Sequence, residues 1–173
     1  MNTRKFVVVA ASAALALGMG MAGPAAFAAA GGTGHTVTQT FHQHGTWVEP
    51  GDTDFCTGQT IAPTITGNEV SHVTYFTGSD EAWGTFTETG RATAVINGLT
   101  WSGKITIWGN FNVNQKNHNN TFTATFKLSA TDPQSGAVYT EIGHETMHMG
   151  WNAVSDQPVV SFDKMWLTCN IPS

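Results

Sequence analysis

Basic side chains are scarce in this chain: seven lysines and arginines stand against twelve acidic residues among 173, a formal charge of −5. Two of the seven, Arg4 and Lys5, lie at the very start, so from residue 31 onward the balance is 7 − 2 = 5 against 12, or −7. A surface so poor in positive charge carries no basic patch, which excludes nucleic acid and anionic membrane as natural partners. Past the first thirty residues there is also no apolar run of membrane length, which argues against a spanning helix and hence against integral membrane contact. No long segment shows a clean 3.6-residue period, so a helical fold has no support either. Leucine and alanine are sparse after the opening, whereas threonine, glycine, phenylalanine and tryptophan abound.

The opening itself, "MNTRKFVVVAASAALALGMGMAGPAAFAAAGG", has two cations, an apolar run from Phe6 to Leu17 and then small residues. This is the plan of a secretory leader, cut after Ala28 or Ala30. The expectation is therefore a leader over 1–30, one domain over 31–173, and a secreted, extracellular product. Cys56 and Cys169 are the only cysteines, and in an oxidising compartment they are expected to form one disulfide that ties the two ends of the domain together. A metal-binding or catalytic thiol is the alternative.

The pattern of the remainder is that of strands. "RATAVINGLTWSGKITIW" holds two β-rich runs joined by Asn97-Gly98, a pair suited to a type I′ hairpin because both residues tolerate positive φ. After the turn Leu99, Trp101, Gly103, Ile105 and Ile107 share one face. In "TFTATFKLSA" Phe122, Ala124, Phe126 and Leu128 alternate with threonines and Lys127, a strand with one buried side. It ends at "TDPQSG", and another begins near Ala137. Further strands are expected near 35–48, 59–66, 70–77, 82–89 and 158–168. Eight or nine short strands with regular turns predict an all-β fold, a single antiparallel barrel, with a sandwich as the alternative. Glu49–Gly58 and the asparagine-rich Asn110–Asn120 read as loops, either solvated connections or carriers of a site. Asn119-Asn120-Thr121 spells a glycosylation sequon.

"HETMH", His144 to His148, matches the pattern with which helical zinc peptidases set two histidines on one metal and a general-base glutamate between them. On that reading His144 and His148 bind zinc, Glu145 is catalytic, and Asp156 or Asp163 supplies the third ligand. On a strand the same letters mean something else. His144 and His148 then point one way, Glu145 the other, and the histidines stand about 13 Å apart. Strand formers before His144, with Gly143 and Gly150 on either side, favour a chance match.

"FHQHGTW" sets His42 and His44 about 7 Å apart on one face of a strand. With His72 from "VSHVTYF" they are candidate ligand-binding residues, and if clustered they titrate near neutral pH. Among the six tryptophans, Trp101 and Trp108 on the hairpin are the candidates for contact with an apolar ligand; exposed tryptophans would instead suit stacking on sugar rings.

Taken together, the leader, "HGTWVEPGDTDFCTG", "GTFTETG", "WSGKITIWGNFNVN", "TFTATF", "HETMHMGWN" and "VSFDKMWLTCN" give a chain that resembles a group of small secreted actinobacterial proteins. Their fold looks like the calycin or allene-oxide-cyclase type of barrel, a scaffold that elsewhere binds small apolar molecules or hosts cyclisations in its lumen. The resemblance is one of layout and carries no activity with it; the leading expectation, from the room a small barrel offers, is a non-catalytic protein binding a small, partly apolar ligand in its lumen or mouth, without a cofactor. A secreted zinc-dependent hydrolase using HETMH and a polysaccharide-binding surface module are the alternatives.

Overall fold

The computed structural model of this chain describes residues 36–76, 79, 81–114, 117–152 and 157–171. The expected leader over 1–30 and Asp156 lie outside them. Nine strands follow in order: β1 Thr36–Val48, β2 Asp52–Thr53, β3 Thr60–Ile61, β4 Thr64–Phe76, β5 Ala82–Ile96, β6 Leu99–Val113, β7 Asn117–Thr131, β8 Val138–Asn152 and β9 Gln157–Asn170. Seven of them make one antiparallel sheet in the order β1-β4-β5-β6-β7-β8-β9, and β2 and β3 form a separate ribbon. Apart from that ribbon the chain is an up-and-down meander, and among the described residues there is no helix.

The hairpin turn sits where the sequence puts it. Asn97 and Gly98 have φ of 51° and 76°, the two positive values a type I′ turn requires, and Leu99 pairs with Ile96. Two expected strand breaks are absent. Residues 64–76 form one strand rather than two, and β5 runs unbroken through Gly90. The reason lies in packing: Gly67 and Gly90 are register partners, and a Cβ on Gly67 would stand 2.4 Å from the Thr89 carbonyl oxygen. Glycine here lets two backbones approach and the sheet bend without ending either strand. We expect Gly67→Ala to cost about 3 kcal/mol, the upper end of ordinary overpacking, because the obstacle is main chain; urea denaturation checks it. The asparagine-rich loop is likewise shorter than expected, since Asn110–Val113 complete β6 and Asn117–Asn120 open β7.

Strand alternation gives the sheet two unlike faces. The covered face carries the core: Phe86, Ile107, Phe122, Ala124 and Met147 form one buried cluster, and Ala94, Ile96, Trp101 and Ala130 form another. The open face is a field of threonines on neighbouring strands, joined in places by direct hydroxyl contacts such as Thr38 to Thr74 and Thr46 to Thr66, both 2.8 Å.

Residues 49–63, whose first part reads from sequence as either a solvated connection or the carrier of a site, cross the covered face. The Glu49 amide donates to the Pro63 carbonyl (3.0 Å) and the Asp54 amide to that of Gln59 (2.8 Å), closing the segment on itself. Asp54 accepts from the Thr57 amide at 2.8 Å and also from its hydroxyl. The Asn97 amide at the hairpin tip donates to Gln59 Oε1 at 2.9 Å, and Ile61 packs against the Trp101 cluster. The expected disulfide is formed: Cys56 in this segment is bonded to Cys169 on β9, 113 residues away.

Candidate functional site

Beneath the crossing segment lies a cavity of about 80 Å³. Five consecutive strands contribute to its wall, with Ile65 from β4, Ala92 from β5, Ile107 from β6, Phe126 from β7 and Glu141 from β8 all lining it. Phe55, Ile61 and Pro63 form the roof. The alanines at 92, 94 and 124 are what leave room: larger side chains at these inward positions would fill it. By the measure in which one water needs at least roughly 10–15 Å³, the space takes several waters or a small organic group.

The polar lining is entirely acidic or hydroxylic, with Glu49, Asp52, Thr53 and Asp54 from the crossing segment and Glu141 and Glu145 from β8. Glu141 and Glu145 are both inward because they are an even number of residues apart on one strand. Gly143 lies between them, and the Phe126 ring rests in the notch it leaves: a Cβ there would fall 2.3 Å from Phe126 Cε1. Phe55 from the roof stacks on Phe126 with centroids 6.4 Å apart and planes 19° from parallel. Two glutamates thus flank an aromatic stack, and each has its own acidic neighbour, Asp54 hydrogen-bonded to Glu141 and Asp163 to Glu145.

Burial and mutual repulsion keep the buried glutamates protonated far above the usual carboxylate range. Desolvation first, then the charge and hydrogen bond of Asp54, push Glu141 up to about 8. Desolvation and then Asp163 raise Glu145 to about 7, with Asp52 adding to it. Glu88 on β5 stands at about 7 through desolvation and the charges of Glu69 and Glu49, and Glu69 is its register partner on the covered face. Glu49 and Asp52 are raised as well, chiefly by burial. A carboxyl that keeps its proton near neutrality can donate a hydrogen bond or release a proton when a cation arrives.

Family models, curated proteins and solved structures offer no match to this chain. Its chemistry has to be read from its own residues.

The histidines singled out from sequence do not reach the cavity, although His42, His44 and His72 are neighbours on β1 and β4. His42, His44, His72, His144 and His148 all point to the open face, opposite the cavity, as the pairings Thr40 to His72 and Thr121 to His148 require. Their polar partners are local: Thr40 Oγ1 to His72 Nδ1 at 2.8 Å, Asn68 Oδ1 to His44 Nδ1 at 2.9 Å and Thr121 Oγ1 to His148 Nδ1 at 2.6 Å. His42 and His44 stand exposed on β1. Trp101 faces inward, but it is part of the core at 1 % exposed, whereas Trp108 is 41 % exposed on the open face. HETMH lies wholly within β8. The helix that would converge two histidines on one metal is therefore not formed, and Glu145, buried on the other face, cannot serve a metal held by His144 and His148. Asp163, considered as a further ligand in that scheme, is the partner of Glu145 instead.

What sequence reading overlooked is the role of Glu49, Asp54, Glu88 and Glu141. No local signal could have found Glu141: it shares a strand face with Glu145 and Met147, but the other face carries Ile142, and only the burial of Met147 in the fold marks theirs as the inner one.

Proposed function

We propose that this chain is an exported, non-catalytic binding protein that holds a small, partly apolar ligand in the cavity beneath residues 49–63, with the sheet forming a barrel-like cup around it. The carrying observation is the enclosure itself: walls from five strands, a roof pinned by a disulfide, and an apolar floor with a few convergent polar groups. Ligand sites have this composition, mostly hydrophobic with a small number of placed polar atoms. The disulfide fits an oxidising compartment. No helix among the described residues is long and apolar enough to cross a membrane.

A thermal-shift screen with small lipophilic compounds tests this reading. A ligand at a hundred times its Kd is expected to stabilise the protein by about 2.7 kcal/mol, and Ala124→Leu, which fills the cavity, is expected to abolish the shift. A specific observation keeps one other reading in view: Trp83, Trp108 and Trp166 are 47, 41 and 58 % exposed on the open face, where aromatic rings can stack on sugars. Should no lipophile shift the melting curve while insoluble polysaccharide retains the protein through Trp108, the surface module replaces the cavity as the functional reading.

A further inference from the structure

The molecule sorts its charges by face. Glu69, Glu88, Glu141, Glu145 and Asp163 lie on the covered face by register, and Glu49, Asp52 and Asp54 enter from the crossing segment. These make eight of the twelve acidic residues. All four described cations, Arg91, Lys104, Lys127 and Lys164, are exposed on the opposite face. Among the described residues no basic group neutralises the cavity.

Solvent serves part of this cluster, since Asp163 is exposed and Asp52 and Glu69 are half-buried, but it does not serve the four most buried glutamates. Glu49, Glu88, Glu141 and Glu145 are each 5 % exposed or less, and each has an Oε1 with neither solvent nor a hydrogen-bond partner. Three of the four line the cavity. Buried acceptors left in this state are costly unless a donor reaches them. An anionic ligand would be repelled. A divalent cation needs several oxygens converging at 2.0–2.6 Å, and among the described residues no group of three His, Cys, Asp or Glu is placed to hold one. An ammonium group meets the need: it is compact, positively charged and supplies three donors. The floor between the acids, formed by Ile105, Ile107, Ala124 and Phe126, suits an alkyl chain. Glu141 and Glu145 are about 13 Å apart along the strand, with the Phe126 ring over Gly143 between them, so acceptors stand at both ends of an apolar strip.

We propose that the cavity binds an aliphatic polyamine, one ammonium group at the Glu141–Asp54 end and one at the Glu145–Asp163 end, with the alkyl segment across Ile107, Ala124 and Phe126. This rests on the cavity being a ligand site and names the class of ligand. Binding releases the protons the glutamates hold in the empty protein. The titratable groups facing them are Glu49, Asp52 and Asp54 above, Glu69 on β4, Glu88 on β5 and Asp163 on β9; β6 and β7 present only apolar side chains to the space. All are acids, so affinity rises with pH as Glu88, Glu141 and Glu145 ionise and the amine stays charged.

Isothermal titration of the purified protein with 1,6-diaminohexane, hexane-1,6-diol and hexanedioate, three probes of one length and opposite or no charge, tests this at pH 5.5 and 8.5. Expected are diamine binding at least tenfold tighter than either analogue, at least tenfold tighter at pH 8.5 than at 5.5, and a tenfold or greater loss in Glu141→Gln and Glu145→Gln. His144→Ala, on the open face, should bind as the parent does. A diol that binds as well as the diamine overturns the polyamine while leaving the cavity a ligand site. Silence from all three probes, with no lipophile shifting the melting curve, overturns both readings. Calcium or zinc binding in place of the diamine, or diamine binding unchanged by both glutamine variants, also overturns the proposal. If the variants fail to fold, the contrast of diamine with diol on the parent protein still decides it.

Discussion

The empty protein should lose stability as the pH is raised from 5 to 8.5, the reverse of what ion-paired carboxylates produce. In the fold Glu141 keeps its proton to about pH 8, and Glu88 and Glu145 to about 7. In the unfolded chain the same carboxyls release theirs near their ordinary value of 4.5. Between those limits the folded state holds more protons than the unfolded one, so raising the pH pulls the equilibrium toward unfolding. The contribution is fully present below about 4.5 and declines through the window up to about 8. One carboxyl displaced from 4.5 to about 7 corresponds to roughly 3 kcal/mol, and three such groups interact, so a total loss of at least about 3 kcal/mol is expected.

Denaturant titrations at half-unit steps of pH measure this directly. Glu141→Gln separates the local effect from general repulsion among the acidic residues. Glutamine can still donate to Asp54, yet it has no proton to lose. The variant should match the parent near pH 5 and exceed it at pH 8.5, with a visibly flatter profile. A parent profile that stays level or climbs between pH 5 and 8.5 would show that Glu141, Glu145 and Glu88 ionise inside the fold without cost, and the buried acidic cavity would not stand.

That behaviour was out of reach of sequence reading, and the reason is specific. The β class, the Asn97-Gly98 turn and the inward faces of β6 and β7 were legible because apolar and polar residues alternate there with period two. In β8 they do not. Its inner face reads Glu141, Gly143, Glu145, Met147 and Met149, and its outer face Thr140, Ile142, His144, Thr146 and His148. Hydrophobicity does not tell these apart, and the ordinary expectation that charge lies outside points the wrong way. Alternation did separate Glu145 from His144 and His148, which was enough to take HETMH away from zinc chemistry once a strand was in hand. The cover is non-local: nothing in Glu49–Gly58 foretells that it crosses five strands, although Cys56 says where it must end. The histidines were legible as surface or lumen alike, since His42, His44 and His72 alternate with residues of middling polarity. Only the register with Ser71, Glu69 and Gly67 opposite Phe41, Gln43 and Gly45 decides which way they turn.

Reduction of the Cys56–Cys169 bond should have the largest effect of any single covalent change, and it should act on the cavity as well as on stability. The bond closes a loop spanning 113 residues, and the chain-entropy argument gives about 4.7 kcal/mol for a loop of that order. For a domain of this size that corresponds to roughly 10–20 °C in Tm. The bond also fastens the roof to β9; without it the cover is held by Phe55 on Phe126, Asp54 on Glu141, the Asn97 amide on Gln59 and Ile61 against the Trp101 cluster. A loosened cover admits water to Glu141 and Glu145, so their carboxyls move back toward ordinary values. The Cys56→Ser, Cys169→Ser double variant is therefore expected to melt well below the parent at pH 5 and to show a shallower decline from pH 5 to 8.5. A variant that melts lower but keeps the full pH dependence would mean that the remaining contacts of the cover, the aromatic stack, the Asp54–Glu141 and Gln59–Asn97 hydrogen bonds and Ile61, seal the cavity without the disulfide. A variant within about 1 kcal/mol of the parent would mean that the unfolded chain gains little freedom when the bond is removed, contrary to the loop-closure account.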